Sequence, residues 1–96
     1  MSKKEEVIIQ AKTQELYTLL LVKHVDVIVA HKLLQRIYNV AWYRSQIQTA
    51  QTPELTALAR WSADSAREEL DTLMHSLHLC DIDRNMIRYI ANHYEF

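Results

Sequence analysis

The chain contains no glycine and a single proline among its 96 residues. Tight hairpin turns need backbone at positive φ, which glycine supplies at the lowest steric cost, so a β-rich fold with several such turns is disfavoured. One cysteine, Cys80, rules out an internal disulfide and suits a reducing compartment. A net charge of −1 creates no global field that would gather nucleic acid or an anionic membrane. The longest apolar-rich run, Leu16 to Val22, is about a third of what a membrane span needs. Met1-Ser-Lys-Lys-Glu-Glu leads into no apolar region of the signal-peptide kind, so a cytoplasmic protein without membrane contact is expected. A phosphate-cradling glycine loop is excluded by composition, and no nucleophile is accompanied by a base and an orienting group. Neither an enzyme nor a cofactor is expected.

What remains is a chain with 49% hydrophobic residues, enough to bury one core and build one domain over 1–96. Its clearest punctuation is Thr52-Pro53-Glu54, an N-cap followed by proline in the first turn and an acid that complements the helix dipole. The helix it opens carries Ala59, Ala63, Ala66, Leu70, Leu73 and Leu77 at alternating spacings of four and three, one face of an α-helix. Upstream, Val27, Ala30, Leu34, Ile37 and Ala41 form a second stripe, flanked by Leu33, Tyr38 and Val40. A break near His24–Asp26, with Asp26 as cap, is expected to separate it from an earlier helix whose stripe is Ile8, Ala11, Leu19 and Val22, with Ile9, Leu16 and Leu20 beside it; one continuous helix through the region is the alternative. Asp81 is the expected cap of a last helix that places Ile82, Met86, Tyr89, Ile90 and His93 on one side.

The expected fold is therefore all-α, an elongated three-to-four-helix bundle. Its main antiparallel hairpin is formed by about 26–50 and 53–78, with a short C-terminal helix at about 82–94. The second helix would be about 37 Å long, more than the roughly 32–34 Å diameter of a spherical domain of this size. Charge supports the hairpin: residues 23–50 sum to +3 and residues 51–83 to −5. Each exposed pair contributes only about 0–1 kcal/mol, so charge tunes the pairing and does not drive it.

Three constellations bear on function. His75 and His78 share a helix face, with Cys80 and Asp81 just beyond, but no second cluster completes a four-ligand metal set. Imidazoles near a helix C-terminus are explained as well by the dipole, and no metal is expected. Asp81-Ile-Asp83-Arg-Asn85 imitates the start of a calcium loop, yet Met86 stands where glycine is required and Asn92 where a bidentate glutamate is required. Lys32 with Arg36, and Arg84 with Arg88, are the candidate nucleic-acid contacts of a DNA-binding regulator that would read with helix 82–94. Four cations are few beside the roughly 6–10 phosphate contacts common in specific binders.

Trp42 and Trp61 give the strongest signal. Trp61 lies off the Ala/Leu stripe, and the helical neighbours of Trp42 are Gln35, Asn39, Ser45 and Gln46. Large aromatics outside the main stripe are covered by another helix or left for a partner. With Tyr43 and the small Ala57 beside them, they form the expected partner interface. The expected function is a protein–protein interaction module (regulator, adaptor or chaperone-like), homodimeric and with an unidentified protein partner. A DNA-binding regulator is the first alternative, and a metal-dependent helical protein the second.

Overall fold

The computed structural model describes residues 3–94, with the side chains of residues 3–6 and 8 outside that description. All regular structure among the described residues is helical: α1 (Lys3–Val22), α2 (Val27–Thr49), α3 (Pro53–Ser76) and α4 (Asp81–His93). The bundle thus has four helices, and its extents of 44 × 31 × 22 Å make it elongated as expected.

Each start follows from local chemistry. The Asp26 carboxylate accepts from the Ile28 amide at 2.8 Å, and the Thr52 hydroxyl accepts from Leu55 N–H at 3.2 Å with Pro53 in the first turn. These satisfy amide donors that a helix N-terminus leaves orphaned. At α4 the expectation is corrected: the N-cap is Cys80, and Asp81 is the first helical residue. Cys80 makes no side-chain cap bond, and Asp81 and Asp83 instead place negative charge in the first turn.

Two helices end in the left-handed region without glycine. His24 has φ 64° and His78 has φ 53°. After α1, Val25 N–H reaches Leu20 O at 2.9 Å and His24 N–H reaches Leu21 O at 3.0 Å, the paired bonds of a Schellman turn. Histidine tolerates this region better than most residues with a side chain. The following residue is drawn inward in both places: Val25 packs on the core and Leu79 is buried.

Helices α2 and α3 form the hairpin and share the most extensive helix–helix interface among the described residues. Arg36 pairs with Glu69 across it at 2.6 Å, and Tyr43 lies beside Ser62 nearer the turn, so the two chains run in opposite directions. The expected stripes are buried with a drift: Ala30, Leu33, Ile37, Val40 and Ala41 on α2, and Ala59, Ala63, Ala66, Leu70 and Met74 on α3. Val27 is exposed, Leu73 and Leu77 are half-buried, and Met74 takes the inner position. A 3.6-residue turn rotates a four-three pattern slowly off axis, so a straight helix brings a new residue inward after several turns.

The expected faces of α1 and α4 need correction. On α1, Ile9, Leu16 and Leu20 are buried, while Ala11 and Val22 are exposed and Leu19 is half-buried; Ile8 lies outside the described side chains. On α4 the buried residues are Asp83, Ile87, Ile90 and Ala91, whereas Ile82, Tyr89 and His93 are exposed. Both helices are rotated because α4 packs on α1 and α2 together and must present one face to each. The exposed Tyr89 ring stacks on His93 at 4.2 Å and carries the Lys12 ammonium 5.2 Å from its centroid.

One buried charge locks this arrangement. Asp83, in the first turn of α4, forms an ion pair with Lys23 from the α1–α2 connection. The Lys23 ammonium holds the Asp83 carboxyl below the usual carboxylate range against the opposing effect of burial, and a hydrogen bond from Cys80 adds to it. The same contact raises Lys23 above the ordinary lysine value. At the far end of α4, the Arg44 guanidinium donates to the carbonyls of Asn92 and Tyr94, a cation at a helix C-terminus.

Candidate interaction surface

The buried residues of the contiguous core extend along α2 as far as Val40 and along α3 from Ala66 onward, with the half-buried Tyr43 packed against them. The hairpin tip beyond it is held by alanines, with Ala41, Ala59 and Ala63 buried where the two helices meet. Small side chains allow close helix approach, so the tip closes with Trp42, Leu55, Leu58 and Trp61 left largely outside the contact. Those residues point elsewhere. Trp61 is 69% exposed, Leu58 59%, Leu55 53% and Trp42 47%.

Their placement follows from helix geometry. At 3.6 residues per turn, Trp61 sits about 200° round α3 from Ala63, on the face opposite the buried stripe. Leu58, one turn earlier, lies between that outer face and the flank beside α2. Leu55 is on the flank itself, where it joins Trp42, Tyr43, Ala59 and Ser62 in a groove of about 390 Å³. Among the described residues, no charged side chain lines this groove. The backbone beneath Trp42 is steadied by Ser45, whose hydroxyl donates to Trp42 O at 2.6 Å.

No family model, curated protein or solved structure matches this chain. The geometry alone therefore ranks the candidate residues. Trp42 and Tyr43 come together in the groove, Trp61 stands on the adjoining outer face, and Ala57 is exposed beside it. Leu55 and Leu58 belong to the same surface, and neither is among the residues expected from the sequence to meet a partner. A signal for Leu58 is present in the sequence, since Leu58 and Trp61 stand three residues apart off the alanine stripe, whereas Leu55, one turn before Ala59, continues it.

The basic residues fall into two other grooves. Lys32 and Arg36 face Glu68 and Glu69 of α3, and Arg36 is paired with Glu69. Arg84 and Arg88 line a groove with Asp71 and His75; Arg84 donates to Leu79 O at 2.9 Å, and Arg88 lies 4.0 Å from Asp71. Acids of α3 thus stand beside both cation pairs, which lowers the local positive potential a phosphate backbone would meet. His75 stands in the last turn of α3 and His78 and Cys80 in the α3–α4 connection, and among the described residues no group of three or more His, Cys, Asp or Glu is arranged to hold a metal ion. Among the described residues, no helix is long and apolar enough to cross a membrane. A further set of exposed aliphatics, Val22, Val27, Ile28 and Ile82, marks the opposite end, where α1 ends and α2 and α4 begin.

Proposed function

We propose that this protein is a small protein–protein interaction module, a regulator, adaptor or chaperone-like chain that engages its partner through the hairpin tip. The observation that supports it is the exposure of Trp61 on a face shared with Leu58 and bordered by the uncharged groove. At roughly 250 Å² for a tryptophan, the open part of Trp61 is about 170 Å², worth about 4 kcal/mol when a partner covers it at ~25 cal/mol per Å². Aromatic anchors beside aliphatic walls, with charge kept to the margins, are the composition of interface centres. A reducing cytoplasm is the setting that suits the lone, exposed Cys80.

A photo-crosslinking amino acid placed at position 61 in the native cell tests this reading. Covalent protein adducts are expected from position 61 and not from Asn85, an exposed α4 position away from the tip. Equal labelling from both, or none from position 61, refutes it.

A further inference from the structure

We infer that the partner seated on the outer face of α3 is a second copy of this chain, packed antiparallel about a two-fold axis between Ala59 and Arg60. This rests on the interaction reading above and names its occupant. The outer face of α3 presents Glu54, Leu58, Trp61, Ser65 and Glu68 at spacings of four, three, four and three, the seam pattern of paired helices. All five are at least partly open to solvent.

The pattern is self-complementary in one orientation. When two such seams run antiparallel, the central layers pair Leu58 with the partner's Trp61 and Trp61 with the partner's Leu58. The next layers outward set Glu54 against the partner's Ser65, whose hydroxyl can donate to the carboxylate. Beyond these, Glu68 meets the partner's Gln51, an exposed amide at the start of the hairpin turn that also offers N–H donors. Every acid on the seam then faces a neutral donor, and the apolar pair is enclosed between polar layers. The parallel orientation sets Glu54 against the partner's Glu54 and Glu68 against the partner's Glu68, and like charges in facing positions oppose association. A two-fold axis makes the Leu58–Trp61 layer twice and buries the Trp61 ring of both copies, as an isologous interface requires.

Size sets the strength. One helix pair meeting over these layers buries on the order of 600–1,200 Å² in total, the lower range of specific interfaces, which fits a reversible dimer of micromolar affinity. The Leu55–Trp42 groove opens along one side of the seam and is partly shielded by it.

Sedimentation equilibrium on the whole chain should show a monomer–dimer equilibrium in the micromolar range. Trp61→Ala should weaken it at least tenfold, and Leu58→Glu, which places a carboxylate in both central layers, should leave monomer. Both variants should keep the helical circular dichroism of the parent, since neither side chain is in the core. Orientation is read by oxidative crosslinking in a Cys80→Ser background. A mixture of the Glu54→Cys and Ser65→Cys proteins should form the mixed disulfide. Either protein alone should not, because its two thiols are about 16 Å apart along the seam. Homodisulfides from Glu54→Cys alone, or a monomer at 100-fold above micromolar concentration, would overturn the proposal. If a monomer still gives adducts of another protein from position 61, self-pairing fails and the interaction reading stands; without any adduct both fail.

Discussion

Leu70 and Trp61 lie nine residues apart on α3 and should respond to truncation in opposite ways. Leu70 is 3% exposed and packs in the contiguous core, whereas Trp61 is 69% exposed on the other face. Removing three buried carbons at Leu70 combines lost transfer energy with an unfilled cavity, and Leu70→Ala should cost about 2–5 kcal/mol. For Trp61 only about 80 Å² of a ~250 Å² side chain is buried, worth about 2 kcal/mol at most, and alanine keeps part of it. Trp61→Ala should therefore cost about 1 kcal/mol or less in the monomer, although it deletes the larger group. Against a total stability of roughly 5–14 kcal/mol for a chain of this length, the two effects are easily separated. Urea denaturation followed by circular dichroism, at protein concentrations well below micromolar, measures the monomer alone and avoids a fluorescence signal that one variant changes. A loss in Trp61→Ala equal to that in Leu70→Ala would place the indole inside the core and remove the basis for an interaction surface. A loss below half a kcal/mol in Leu70→Ala would put the core elsewhere.

The Lys23–Asp83 pair predicts a stability plateau with two edges. Asp83 has a lowered folded pKa, so its contribution is full above the unfolded carboxylate value near 4 and fades as pH falls through the folded value; Lys23 is raised, so its contribution fades only as pH rises above about 10.5. Urea midpoints measured from pH 2 to 7 should fall less steeply on the acid side in Asp83→Asn, and an unchanged slope would count against the pair. Replacing His24 or His78 by glycine should raise stability by about 0.5–1 kcal/mol, because both hold left-handed backbone that costs a residue with a Cβ about that much; a lower denaturation midpoint in both variants would contradict the geometry. EDTA should leave the melting temperature unchanged, and a drop of several degrees restored by zinc would make His75, His78 and Cys80 ligands.

Local chemistry made much of the fold legible. Asp26 and Thr52-Pro53 announce their helices because a cap acts within a few residues of itself, and the α2 and α3 stripes read clearly because each helix has one dominant partner, the other. Trp61 likewise shows in the sequence as a residue left off the alanine stripe, and helix geometry alone sends it outward. The faces of α1 and α4 were not legible in this way. Leu16, Leu19, Leu20, Leu21 and Val22 ring more than half of α1, so periodicity offers several inward faces and only packing against α4 and α2 selects Leu16 and Leu20. Asp83 reads as an ordinary first-turn acid until Lys23, 60 residues earlier, is brought against it and makes its burial tolerable. The absence of glycine pointed away from β-hairpins, yet left-handed backbone is still needed twice among the described residues, and His24 and His78 supply it. Sequence by itself determined where α2 and α3 begin and which residues are apolar, since those depend on neighbours along the chain. The tertiary structure decided which apolar residues go inside, because burial is assigned by whichever helix arrives to cover them, and at the tip of the hairpin no third helix among the described residues covers Trp61 and Leu58.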